Sequence, residues 1–176
     1  MSDSQATTRA ADVRLLVLDV DGVLTDGSLY LGNQGEEFKA FHVRDGHGIK
    51  MLQETGIQVA VITGRSSQLV ADRMQSLGVE HVFQGQGEKL PAFIQLLEEL
   101  NLKPEQAACI GDDVLDLPLL VRAGLAVSVA DGHPLVARHT HWCTPSPGGR
   151  GAVREVCEFI MEAQGTLDAL HRSYLT

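Results

Sequence analysis

The chain has 176 residues, 44% of them hydrophobic, and its apolar runs are all short, which points to one domain with a full core and excludes a membrane span. A formal charge of -9 with no basic stripe excludes general nucleic-acid binding and requires local positive charge wherever an anionic ligand is held. The polar start, with Asp3 ahead of Arg14, lacks the basic end and apolar stretch of a secretory signal, so a cytoplasmic protein is expected.

Residues 1–12 are expected to form a flexible tail. The first structured segment is the aliphatic run Val13 to Leu18, which ends directly in Asp19-Val20-Asp21-Gly22-Val23-Leu24-Thr25. Two carboxylates one residue apart at a strand tip repel each other unless a hard cation such as Mg²⁺ shares them. Asp and Gly are also ordinary turn formers, so a polar turn is the competing reading of the same residues. Ser28 to Val43 then reads as two extended pieces around Gly32-Asn33-Gln34-Gly35, a hairpin rather than a crossover.

A helix is predicted over about Gly48 to Thr55, ending at Gly56, followed by a strand over Ile57 to Ile62 that runs into Thr63-Gly64-Arg65. After Ser66, Val70, Met74 and Leu77 fall at helical spacing up to Gly78, and Val79 to Phe83 is a third strand. Gly85-Gln86-Gly87-Glu88 places Lys89 at the start of a helix whose apolar stripe is Leu90, Phe93, Ile94, Leu97 and Leu100, with Pro91 tolerated in its first turn. Ala107 to Ile110 forms a fourth strand and delivers Gly111-Asp112-Asp113, with Asp116 three residues on. A short helix over Leu117 to Ala123, a strand over Leu125 to Val129 and a final helix over Ala152 to Ala163 complete the pattern.

Alternating short buried strands and helices specify an α/β, doubly wound Rossmann-like parallel sheet, here with a β-hairpin flap after the first strand and no room for a cap domain. Residues 13–163 are expected to make a single domain carrying the hairpin insertion 28–43, with 164–176 as a C-terminal tail. Open sheets of this kind bind ligands at the carboxyl ends of their strands. Four successive ends carry a carboxylate pair, Thr63 with Arg65, Lys89, and a second acidic cluster. That distribution suits a phosphate and its Mg²⁺, although Thr63-Gly64 taken alone is also a plausible turn and Lys89 alone a solvated helix start.

In order and at the expected strand ends, Asp19-x-Asp21-Gly-Val-Leu-Thr, Thr63-Gly-Arg, Lys89 and Gly111-Asp-Asp-x-x-Asp116 resemble the four motifs of the haloacid dehalogenase superfamily, over residues 13–130. More narrowly, the segment DVDGVLTDG from Asp19 to Gly27, the hairpin ending at Phe38-Lys-Ala-Phe-His-Val-Arg44-Asp45-Gly46 and the capless length resemble the 3-deoxy-D-manno-octulosonate 8-phosphate phosphatase family. The resemblance implies that Asp19 attacks phosphorus to form an aspartyl-phosphate, and that Asp21 protonates the leaving sugar oxygen and then activates water. It implies that Thr63 and Lys89 hold the phosphoryl oxygens. Mg²⁺ is implied on Asp19, Asp112 and the backbone carbonyl of Asp21, with Asp113 orienting a water on the metal and Asp116 supporting the loop.

For the substrate the resemblance favours Thr63, Gly64, Arg65, Arg73 and Lys89 as contacts, Arg73 being equally readable as part of a solvated helix face. It implies release of phosphate from a phosphorylated eight-carbon keto-sugar acid, a step toward lipopolysaccharide. A nine-carbon acid 9-phosphate carries the same two anionic ends and stays open, as do a broad sugar-phosphate phosphatase and a non-enzymatic oligomerisation module of the same fold. Capless relatives are implied to be homotetramers in which hairpins and C-terminal tails cover neighbouring sites. Leu29, Tyr30, Leu31, Phe38 and Phe41 give the hairpin more apolar surface than it buries alone.

Three further features admit two readings each. Cys109, Cys143 and Cys157 have no metal-finger spacing and read as reduced, buried thiols rather than a disulfide framework or a catalytic thiol. His139-x-His141 is a structural pair or half of a transition-metal site. Gly148-Gly149-Arg150-Gly151 is an anion-binding loop or a relaxed turn.

Overall fold

A computed structural model describes residues 3–176. In chain order it contains α1 (Asp3–Ala10), β1 (Leu15–Leu18), β2 (Tyr30–Leu31), β3 (Glu37–Phe38), α2 (Val43–Glu54), β4 (Gln58–Ile62), α3 (Gln68–Leu77), β5 (His81–Phe83), α4 (Lys89–Glu99), β6 (Ala107–Gly111), α5 (Leu117–Leu120), β7 (Leu125–Ser128), α6 (Pro134–Ala137), β8 (Trp142–Cys143), α7 (Ala152–Ala163) and α8 (Leu167–Ser173). The main sheet has the order β5-β4-β1-β6-β7-β8 and every neighbouring pair is parallel. β1 is central, with Leu15 opposite Gln58 on one side and Ala107 on the other.

All four β1 residues are buried because both faces of the sheet are covered. Leu16 and Leu18 pack into the layer formed with α1, α2, α3 and α7, and Leu15 and Val17 into the layer with α4 and α5, the two-residue period of an extended chain. Among the described residues, no helix is long and apolar enough to cross a membrane. The insertion after β1 is a two-stranded hairpin, Tyr30 opposite Phe38 and Leu31 opposite Glu37, so the fold is a Rossmann-like sheet with a flap and no cap domain.

Several boundaries differ from the sequence expectation for steric reasons. α2 starts at Val43 rather than near Gly48, because Gly46 and Gly48 act as contact points instead of helix breakers. A Cβ on Gly48 would lie 3.0 Å from Arg154 Cα in α7, and one on Gly46 would lie 2.3 Å from Arg73 Nη2. In α4 the buried stripe runs through Phe93, Leu96 and Leu97, and Ile94 is exposed, one residue of helical rotation away.

In place of a flexible tail over 1–12, residues from Asp3 form α1, whose Ala6 and Ala10, one turn apart, are buried beside α7. Arg9 Nη1 also donates to the Gly124 carbonyl at 2.9 Å. Residues 1–2 of the expected tail lie outside the described residues. The tail 164–176 carries α8, and Gln164 donates to the carbonyls of Ala10 and Val13, tying its start to the N-terminal segment.

Asp45 links α2 to α7. Its Oδ1 accepts from Arg154 N at 2.8 Å and its Oδ2 from Gly151 N at 3.2 Å, so a side chain from another helix supplies the cap that Gly151 lacks. Burial raises its pKa, and the two N–H donors act against that rise. Asp45→Ala is expected to lower stability by about 1–3 kcal/mol, because it removes a buried carboxylate cap and leaves two part-buried N–H groups at the start of α7 without that partner. Urea unfolding at constant m-value checks this, and an unchanged midpoint would contradict the capping role.

Candidate active site

The carboxyl ends of β1, β4 and β6, with the start of α4, converge on one pocket lined by Asp19, Asp21, Thr63, Gly64, Arg65, Lys89, Asp112, Asp113, Leu115 and Asp116. These residues come from four separate stretches of chain. The parallel register that sets Leu18 beside Val61 and Ile110 also brings their following loops together.

Lys89 is the electrostatic centre of the pocket. Its buried Nζ lies 2.9 Å from Asp19 Oδ2 and 2.6 Å from Asp116 Oδ1. Burial works to lower its pKa, but the two carboxylates outweigh it and hold the ammonium above the ordinary lysine range. Asp19 Oδ1 accepts from Val20 N at 2.7 Å, which fixes the carboxylate at the strand tip. Asp116 Oδ2 accepts from Asp112 N at 3.1 Å and from Asp113 N at 3.3 Å, which ties it to the acidic loop. Asp113 accepts from Val114 N and lines the rim.

Carboxylate oxygens of Asp19, Asp112 and Asp116 lie within 4.8 Å of one another. Asp116 is the buried member and its oxygens accept three hydrogen bonds, from Lys89 Nζ, Asp112 N and Asp113 N, whereas Asp19 and Asp112 are partly exposed to the pocket and are better placed to share a cation. Burial, then the neighbouring Asp116, pushes Asp19 up to about 6, against the pull of Lys89. Burial followed by Asp116 and Asp19 pushes Asp112 up to about 7. Clustered oxygen donors whose charges oppose one another fit a hard divalent cation. Gly22, at φ +93°, permits the approach: a Cβ there would sit 2.1 Å from Asp112 Oδ2.

Asp21 lines the same pocket but is not part of this cluster. Its Oδ1 pairs with the Lys39 ammonium, and its Oδ2 lies 3.7 Å from Arg65 Nε. Arg65 Nη2 donates to Glu37 Oε1 at 3.1 Å, and the Ser67 hydroxyl donates to Glu37 Oε2 at 2.8 Å. The Ser67 bond first, then Arg65 and Lys39, holds the Glu37 carboxyl below its usual range against the effect of burial. The sequence reading missed Lys39, Glu37, Ser67 and Leu115. The available signal was the alternation Glu37-Phe38-Lys39 in the arm returning from the hairpin turn, but only the folded hairpin shows that it faces Asp21.

Arg73 is not brought to the pocket. Its guanidinium carbon lies 5.9 Å from the centroid of the Phe41 ring, beside Gly46, because its turn of α3 faces α2. Phe41 correspondingly packs on the core instead of adding to the exposed hairpin surface. The Gly148–Gly151 loop is a close-packed support: a Cβ on Gly148 would lie 1.8 Å from the Gly22 carbonyl oxygen, and Gly149 N donates to Val23 O at 2.8 Å. Its glycines thus buttress the Asp21-to-Thr25 loop from behind.

His141 Nδ1 accepts from Ala126 N and His139 Nδ1 bonds the Leu135 carbonyl, and among the described residues neither belongs to a cluster of three or more possible metal ligands. All three cysteines are free. Cys109 and Cys157 are buried, which pushes their thiols well up, whereas Cys143 is exposed, contrary to expectation, on the edge strand β8.

The model of haloacid dehalogenase-like hydrolases matches residues 33–124. The 3-deoxy-D-manno-octulosonate 8-phosphate phosphatase of Yersinia pestis is 54% identical over 160 residues, covering 91% of this chain and 86% of that protein. The enzyme of the same description from Escherichia coli K12 is also 54% identical, over 91% of this chain and 85% of its own. The crystal structure of the Moraxella catarrhalis phosphatase, in complex with magnesium ion, phosphate ion and KDO, superposes with a TM-score of 0.97 at 40% identity, covering 98% of this chain and 99% of that one. The chain therefore belongs to the 3-deoxy-D-manno-octulosonate 8-phosphate phosphatase family of haloacid dehalogenase-like hydrolases.

Proposed function

We propose that this protein is a Mg²⁺-dependent phosphatase that hydrolyses 3-deoxy-D-manno-octulosonate 8-phosphate to the free sugar acid and inorganic phosphate, in the cytoplasm, on the route to lipopolysaccharide. The observation that carries this reading is the joint placement of Asp19, Lys89 and Asp112 in one pocket with Arg65 at its rim, in a chain of this family.

In this reading Asp19 attacks phosphorus, forming the O–P bond of an aspartyl-phosphate as the bond to the sugar oxygen breaks. Asp21 gives its proton to that oxygen, then takes one from the water that releases phosphate from Asp19. Lys89 and Thr63 hold the phosphoryl oxygens, and Lys89 reduces their repulsion by Asp19. Mg²⁺ held by Asp19, Asp112 and the Asp21 backbone carbonyl supplies neutralisation of phosphoryl charge. Arg65, half-exposed at the mouth and flanked by Gly64, meets the anionic sugar acid.

A homotetramer is part of the proposal. Leu29, Tyr30, Leu31 and Phe38 on the hairpin are exposed, as is Leu115 at the pocket rim, an apolar surface that association would bury.

Phosphate release from a panel of sugar phosphates with Mg²⁺ tests the activity. We expect kcat/KM for the eight-carbon 8-phosphate to exceed that for simple hexose phosphates by about 10²-fold or more, the scale set by unmet polar recognition groups. Equal rates on hexose phosphates would remove the substrate assignment. A higher value for a nine-carbon acid 9-phosphate would transfer it to that relative.

A further inference from the structure

Asp19 and Asp21 sit on one short loop, yet the phosphatase reading requires opposite duties of them. One carboxylate must face phosphorus and the cation, and the other must face the departing sugar oxygen. Coulomb attraction alone would draw both toward the same place, since Lys89 and the cation site lie on the Asp19 side. Positive charge beside Asp21 itself can hold it apart.

Two candidates touch it, and they differ in environment. Arg65 Nε is 3.7 Å from Asp21 Oδ2, but its side chain is 48% exposed and shared with Glu37, so water and the second carboxylate weaken its hold. The Lys39 side chain is 1% exposed, and its ammonium is in direct contact with Asp21 Oδ1. Its other anionic neighbour, Glu37 Oε1, is farther away at 3.7 Å. A buried ammonium is stable only when paired, so Lys39 and Asp21 constrain each other's geometry. Lys39 lies just past β3, on the arm that returns from the hairpin turn. Glu37 in the same arm is tied to Arg65 and Ser67 in the segment between β4 and α3. The position of the flap and the orientation of Asp21 are thus joined through one buried ion pair.

We propose that Lys39 is a positioning residue, which holds the Asp21 carboxylate on the leaving-group side of the pocket, away from the cation site, and couples the seating of the hairpin to the acid–base step. This rests on the phosphatase reading above. Lys39 is not among the residues that line the pocket.

The test uses the full-length protein with Mg²⁺ and the eight-carbon sugar acid 8-phosphate. Lys39→Met keeps the apolar stem and removes the charge. We expect its kcat to fall by about 10²-fold, the lower range for loss of general acid–base catalysis, with KM changed less than about threefold. Lys39→Arg should recover about tenfold of that loss, because a guanidinium can still reach a carboxylate. With enzyme in excess, so that slow turnover remains readable, Lys39→Met introduced into Asp21→Asn should cost less than about twofold further, since the two residues act as a unit.

A kcat for Lys39→Met within about threefold of the unaltered enzyme, a loss confined to KM, or the full loss repeated in the Asp21→Asn background would overturn the proposal. If the Met variant melts early, Lys39→Gln takes its place in the same comparisons. An unaltered enzyme inactive on this substrate would instead overturn the phosphatase reading itself and this proposal with it.

Discussion

Asp19→Asn is expected to reduce kcat by at least about 10⁴-fold, the scale seen when a nucleophile is removed, while the protein stays folded. An amide has nearly the shape of the carboxylate and can still accept the 2.7 Å hydrogen bond from Val20 N. Lys89 loses one anionic partner but keeps Asp116 at 2.6 Å. The substitution also removes a charge that Asp112 and Asp116 oppose, so the melting temperature should be unchanged or higher. Single-turnover phosphate release and calorimetry on the same samples separate the two effects. Acid-quenched wild-type enzyme should carry covalent phosphate and the variant none. An active Asp19→Asn enzyme would refute the covalent mechanism.

Asp112→Asn is expected to stabilise the metal-free protein while abolishing its response to Mg²⁺. Folding raises Asp112 to about 7 and Asp19 to about 6, so between about pH 4 and 7 the native state binds more protons than the unfolded chain. Stability of the metal-free protein is then fully present below the unfolded carboxyl pKa and is lost as pH rises through the raised values.

Mg²⁺ prefers the ionised carboxylates, so its stabilising effect should grow with pH. We expect melting temperature in a chelator to fall from about pH 5 to about pH 8, and the Mg²⁺-induced increase to be larger at the higher value. In Asp112→Asn, activity is lost, the fall with pH is shallower and the Mg²⁺ increment nearly vanishes. A chelated wild-type protein whose melting temperature rises over that range would contradict the carboxylate cluster as its cause.

Much of this site was legible because its residues lie where strand periodicity breaks. Leu15 to Leu18 announces a buried strand, and the two carboxylates that follow read as a ligand site or as a polar turn until a second acidic strand end is set beside them. The Gly111-Asp112-Asp113 end repeats the signal, and both acidic groups lie in the pocket with Lys89 between Asp19 and Asp116. Less legible were residues whose meaning depends on what faces them. Arg73 has the charge and helical position of a substrate ligand, but α2 packs against its turn of α3. Gly48 and Gly148 look like breakers or anion loops when only chain-local preferences are considered, whereas each is a place where the backbone of another segment comes too near for a Cβ, and at Gly46 the Arg73 guanidinium fills that space. Asp45 reads as one more helix residue until its two oxygens are found on the N-terminus of α7.

The amino-acid order by itself determined the alternation of strands and helices, the parallel doubly wound sheet, the hairpin in place of a cap and the four strand ends that carry the charges. These follow from local periodicity and from where polar residues interrupt it. Only the tertiary structure decided that Lys39 reaches Asp21, that Glu37 engages Arg65 and Ser67, that Asp116 spends both oxygens on Lys89 and the loop, and that Arg73 lies elsewhere. The physical reason is range. Hydrophobic period is a property of neighbouring residues, whereas an ion pair is set by the crossing of segments far apart in sequence, and its strength depends on burial that only packing creates.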